Sequence, residues 1–100
     1  MDVRISHRGP TVVLEVTGRI DYETAAEFTG VMEGLVRQEE AEVIVDLSRV
    51  VYVSSSGLRA LLITVRKMDA AGKSLVLTGL NDTLREVFDI SGFTGLFRFA

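Results

Sequence analysis

Ser54-Ser55-Ser56-Gly57 is the densest group of hydroxyl side chains in the sequence, and it stands directly ahead of an apolar helical repeat. Hydroxyls in that position can accept hydrogen bonds from the free amides of a first helical turn. They can also receive a phosphoryl group. Two acids belong to the same inventory: Asp21, where an N-cap would stand, and Asp46, at the end of a β-branched run. A capping role for Asp21 and a backbone-satisfying role for Asp46 compete with a functional role for each. Serine hydrolysis needs a base beside the nucleophile and an elbow such as Gly-x-Ser-x-Gly. The stretch from Ser54 to Gly57 lacks the first glycine, and the single histidine, His7, lies in an early strand and receives no role. With no cysteine there is no disulfide framework or thiolate metal site, and the lone histidine could build a zinc centre only with many carboxylate partners. The chain is therefore not expected to be an enzyme or to hold a metal or cofactor.

Composition narrows the classes further. One hundred residues, 47% of them hydrophobic, suit one domain over residues 1–100. A net charge of -3 offers no basic surface for nucleic acid. Met1-Asp-Val-Arg-Ile5 alternates apolar and charged residues where a secretion signal needs an unbroken apolar stretch, and no apolar run approaches the roughly 20 residues that span a bilayer. A cytoplasmic protein with no membrane partner is expected.

The elements that must position the serines follow from periodicity. Val3 to His7 and Thr11 to Thr17 read as a β-hairpin across Gly9 and Pro10. Ala25, Phe28, Met32, Leu35 and Val36 recur at helical spacing, which predicts a first helix from about Tyr22 to Gln38. Glu42 to Leu47 suits a strand buried on both faces, followed by an irregular stretch through Tyr52. A second helix carries Leu58, Leu61, Leu62, Val65 and Met68 on one stripe and ends near Gly72, leaving Arg59 and Arg66 toward solvent as candidate partner contacts. Ser74 to Thr78 is a further strand, Gly79 to Asn81 a turn, Leu84 to Phe88 a short helix and Leu96 to Phe99 a last strand. The fold class is α/β, a mixed sheet with an N-terminal hairpin, parallel βαβ units and helices packed on the sheet. Ligands and switches on such sheets gather beyond the carboxyl ends of the parallel strands. The loops 18–21, 47–57 and 78–82 are thus expected to bring Asp21, Asp46, the serines and Asn81 to one edge.

The segment Val43-Ile-Val-Asp-Leu-Ser-Arg-Val-Val-Tyr-Val-Ser-Ser-Ser-Gly-Leu58 resembles the signature of STAS domains, in which a strand ending in Asp-Leu-Ser leads to Ser-Gly-Leu. Gly18-Arg-Ile-Asp21 is similar to the family's Gly-x-Leu/Ile-Asp element, and Leu77-Thr-Gly-Leu80 and Ile90-Ser-Gly-Phe-Thr-Gly-Leu-Phe97 fit its closing pattern. The resemblance covers nearly the whole chain. It implies an anti-sigma factor antagonist, a monomer or weak dimer that binds an anti-sigma factor, often itself a serine kinase, and so releases a sigma factor. Phosphorylation of the serine before Gly-Leu, Ser56 here, reverses the binding, and a phosphatase acting on phosphoserine resets it. Asp21, Asp46, Ser54, Ser55, Gly57, Leu58, Arg59 and Asn81 are the implied surroundings of that site. The family commonly has aspartate two positions before the phosphorylated serine; this chain has Ser54, which removes a charge beside the switch and leaves Ser54 and Ser55 as further acceptors.

Two other readings compete. A STAS subunit of a different signalling assembly would share every motif above. A phosphoacceptor receiver-like domain would use Asp46, but the acidic pair after the first strand and the later lysine that such chemistry needs are absent from the expected places.

Overall fold

The computed structural model describes residues 1–100. Strands β1 (Asp2–Arg8) and β2 (Thr11–Ile20) form an antiparallel hairpin. Gly9 turns it at φ +60°, a backbone region that costs glycine little. Helix α1 (Ala25–Val36), strand β3 (Glu42–Val53), helix α2 (Ser55–Ala70), strand β4 (Ser74–Thr78) and helix α3 (Asp82–Ile90) follow, then a 3₁₀ turn (Thr94–Leu96) and a short β5 (Arg98–Phe99). The five strands lie in the order of the sequence, β1-β2-β3-β4-β5, and all pairs after the hairpin are parallel.

Alternation along the strands chooses the face that is covered. Val12, Leu14 and Val16 of β2, Val43, Val45 and Leu47 of β3, and Leu75 and Leu77 of β4 are buried on one side of the sheet. Phe28, Met32 and Leu35 of α1, Leu58, Leu61 and Met68 of α2, and Leu84 and Phe88 of α3 join them in one continuous cluster. All three helices therefore pack on the same face. Lys67 of α2 and Glu33 of α1 make an exposed ion pair at 2.7 Å between the first two, which holds the Glu33 carboxyl below its usual pKa chiefly through that hydrogen bond.

Three expectations need correction. The first helix starts at Ala25 rather than Tyr22, because residues 21–24 are held in a separate hydrogen-bonded turn described below. The closing strand is only Arg98–Phe99, its predicted start at Leu96 being taken up by the 3₁₀ turn. Most consequentially, there is no irregular loop after Leu47, since β3 continues to Val53 and stays paired with β2. Leu47, Val50 and Val53 are buried with two exposed residues between each, a step of three produced by register shifts against β2. Such bulges break the period-two pattern without ending the strand.

The C-terminal segment is closed by aromatic contacts. Phe88 is fully buried, with edge-to-face partners Phe97 at 5.5 Å and Phe99 at 6.0 Å between ring centroids. Truncating Phe88 leaves a cavity and frees both partners, so Phe88→Ala should cost about 3–5 kcal/mol. Urea unfolding monitored by circular dichroism checks this, the midpoint falling accordingly.

Candidate functional site

The serine run stands where the far ends of β2 and β3 meet the first turn of α2. Ile20 pairs with Val53, and the Ser54 amide donates to the Ile20 carbonyl at 2.9 Å. One turn later the backbone at Gly57 returns to the same carbonyl so closely that a Cβ there would lie 2.5 Å from it, 2.9 Å from Ile20 Cγ2 and 3.0 Å from Val53 Cγ1. Only a residue without a side chain allows α2 to begin there. Ser54 is the N-cap: its Oγ accepts from the Gly57 amide at 3.1 Å. The amides of Ser55 and Ser56 have no acceptor inside the helix, and no acidic residue occupies the first turn. Ser55 is exposed and Ser56 half-buried at the surface.

Across the seam lies the β2–α1 turn. Asp21 Oδ1 accepts from the amides of Glu23 at 3.0 Å and Thr24 at 3.1 Å, and from the Thr24 hydroxyl at 3.2 Å. Asp21 Oδ2 receives Arg19 Nε at 3.4 Å. Partial desolvation pushes the carboxyl upward, but the hydrogen bonds from Thr24, Arg19 and Glu23 together outweigh it and hold its pKa below the usual value. The residue at the helix N-cap is Thr24, whose hydroxyl donates to the Arg19 carbonyl at 2.9 Å instead of capping α1. Asp21 thus organises the turn before the helix, the local chemistry that short polar side chains provide at chain reversals.

The structure brings together the turn at Asp21 and the segment Ser54 to Gly57, with Arg59 exposed one turn along α2 from Ser56. It does not bring Asp46 or Asn81 to them. Asp46 lies opposite Glu15 and Val53 opposite Ile20, so five residues of β2 at about 3.3 Å each set Asp46 roughly 17 Å from the start of the serine run. Asp46 Oδ1 accepts from the Ser48 amide at 2.9 Å beside Gly79, which has a φ of +78° and where a Cβ would lie 2.8 Å from Asp46 Oδ1 and from Ser48, leaving no room for a side chain. Asn81 caps α3, its Oδ1 accepting from the Leu84 amide at 2.8 Å. Both acceptors serve local backbone at the end of β4. Leu58 is buried in the core, so it anchors the helix and offers no surface.

Sequence reasoning missed two neighbours of the site. The Arg19 guanidinium lies 4.3 Å over the Tyr52 ring, because the second register shift pairs Arg19 with Tyr52. Nothing in the linear pattern signals that pairing. Tyr22, in the Asp21 turn, is 84% exposed; its place in a motif otherwise rich in polar residues was the available signal. His7 lies at the opposite end of the sheet, 2.9 Å from Glu40.

The family profile described as "Mlab, STAS domain" matches residues 3–98. BtrV of Bordetella bronchiseptica, provisionally named an anti-sigma factor antagonist, is 35% identical over 80 residues, covering 80% of this chain and 69% of BtrV. Among solved structures, the anti-sigma factor antagonist SpoIIAA of Bacillus in its phosphorylated form superposes with a TM-score of 0.73 at 22% identity, over 99% of this chain and 91% of that one. An anti-sigma factor antagonist from Mycobacterium paratuberculosis superposes with a TM-score of 0.87 at 21% identity, over 98% and 83% of the two chains.

Two outcomes follow from the site's geometry. Gly57→Ala gains roughly 1 kcal/mol of helix propensity but drives a methyl into the Ile20 carbonyl, so its melting temperature should fall; an unchanged or raised value would show that the seam is loose. Asp21→Asn keeps the acceptor and loses the charge. Because the folded carboxyl has a depressed pKa, its stabilisation is present above the unfolded value of about 3.9 and is lost as pH falls through the folded value. Thermal melts should therefore show a small wild-type advantage at neutral pH that disappears in acid.

Proposed function

The chain belongs to the STAS domain family, and we propose that within it this protein is an anti-sigma factor antagonist switched by phosphorylation of Ser56. The observation that carries the reading is the position of Ser56: at the surface, in the first turn of α2, locked by Gly57 against the strand that leads into the Asp21 turn. The relatives and structural neighbours named above bear the same functional name. In this reading the protein is a regulatory binding module of the cytoplasm with no catalysis of its own. Its partner is an anti-sigma factor that also serves as the serine kinase, and a phosphoserine phosphatase resets it.

The local physics favours a switch that leaves the fold intact. A phosphoserine carries about -1.5 to -2 charges. On the first turn of α2 it meets the free amides and the positive end of the helix dipole, both of which favour an anion. Ser54 supplies a neutral cap there, so no resident carboxylate repels the phosphate from within the turn. In a partner interface the same charge is repelled by any acid and costly to desolvate. Two unit charges about 6 Å apart at an effective dielectric near 20 interact by about 3 kcal/mol, and a residual of about 1.4 to 3 kcal/mol after screening weakens binding roughly ten- to a hundredfold. Asp21, the exposed Tyr22 and Arg59 extend the contact surface on either side of Ser56.

Ser56→Ala should bind the anti-sigma factor constitutively, and Ser56→Asp should bind roughly ten- to a hundredfold more weakly with an unchanged circular dichroism spectrum. Isothermal titration with the co-purified partner measures both, and mass spectrometry after incubation with kinase and ATP locates the phosphate. Phosphate only on Ser54 or Ser55, or wild-type affinity for Ser56→Asp, would sink the assignment.

A further inference from the structure

The helices cover one face of the sheet and leave the other open, although β2 to β5 pair in parallel and all-parallel sheets occur almost only with both faces covered. Val13, Ile44 and Val76 lie side by side in register across β2, β3 and β4 on that open face. All three are only half-buried, and none belongs to the hydrophobic core or packs against it. Charged side chains flank this apolar row in an ordered way. The register places Asp2, Thr17 and Arg49 in one row, and Arg4, Glu15 and Asp46 in the next. Arg8, Thr11 and Glu42 form the row on the far side of the apolar one. Read in one direction, β1 presents Asp2, Arg4 and Arg8, while β3 presents Arg49, Asp46 and Glu42. The signs are opposite in every row. None of these six groups is in an ion pair within the chain; the pairs present are His7–Glu40, Arg19–Asp21 and Lys67–Glu33.

From this pattern we infer that the open face is a homodimer surface, on which a second copy stacks about a two-fold axis running along β2. A two-fold contact is self-complementary, each residue facing the residue that the axis assigns to it. Since β1 and β3 lie on either side of β2, rotation about that axis sets β1 of one copy over β3 of the other. Arg4 then faces Asp46, Arg8 faces Glu42, and Asp2 faces Arg49, each pair occurring twice. Val13 meets its own mate at the axis, and stacked sheets about 10 Å apart bring these side chains into reach. Glu15 also meets its own mate, the one like-charged contact. Arg4 and Arg49 line a depression with it and supply compensating charge. Three strands by four rows amount to roughly 400 Å² of sheet per copy, the scale of a weak, concentration-dependent association. The dimer leaves Ser56 and the helical face free, so it does not depend on the function proposed above.

Sedimentation velocity of the purified protein over a concentration series tests the inference. A monomer–dimer equilibrium is expected, weakened by added salt because its pairs are charged and near the surface. Asp2→Arg or Arg49→Asp alone should raise the dimer Kd about tenfold or more by placing like charges in contact twice, and the double swap should restore it to within about threefold. Val13→Arg should leave only monomer, its fold verified by circular dichroism. A wild-type protein that stays monomeric throughout the series, or a dimer insensitive to both salt and these substitutions, overturns the proposal.

Discussion

The first turn of α2 can rest on the end of β2 only because residue 57 has no side chain. Ser54 donates its amide to the Ile20 carbonyl at 2.9 Å, and the backbone at Gly57 comes back against that carbonyl at a distance no Cβ tolerates. The contact joins the ends of two parallel strands to the start of a helix. It therefore fixes where the serine run stands relative to the Asp21 turn, which begins one residue after Ile20. Every functional property argued for Ser56 depends on that placement: its surface position, the free amides around it, and the acidic turn beside it.

Rigidity at the seam also explains how a charge could act without refolding the domain. The core lies along the helical face, from Val12 and Leu14 through Leu61 and Met68 to Phe88, and none of it is polar apart from Thr64, whose hydroxyl donates to the Ala60 carbonyl at 2.8 Å. A phosphate on the first turn of α2 adds its charge at the rim of this core and needs no buried partner. Its cost falls on whatever docks there. A modification of this kind alters recognition through electrostatics and desolvation rather than through packing.

Much of this was legible in the sequence because local chemistry and global fold agree. The apolar repeats of α1 and α2, the short buried β4 and the Ser-Gly-Leu junction each carry a signal that needs no distant residue. What was not legible depended on pairing. Val50 and Val53 sit at steps of three from Leu47, so the period-two pattern of β3 stops at Leu47; only its register with β2 reveals that it continues. A strand that stopped there would bring Asp46 and Asn81 to one edge with the serines, whereas the length of β3 keeps them apart. Arg19 over Tyr52 was hidden for the same reason, and the choice between a cap and another role for Asp21, open in the sequence, goes against a helix cap, because its carboxylate is used by the turn that precedes Thr24.

The most direct measurement is an amide correlation spectrum of the protein carrying phosphoserine at position 56, compared with the unmodified form. Changes are expected only at residues around 19–24 and 54–60, with the amides of Ser55 and Ser56 moving most as they meet the phosphate and the signals of β1, β4 and α3 unmoved. Shifts spread through the sheet, or a loss of signal dispersion, would contradict this, because the phosphate would then be acting through the fold rather than at its surface.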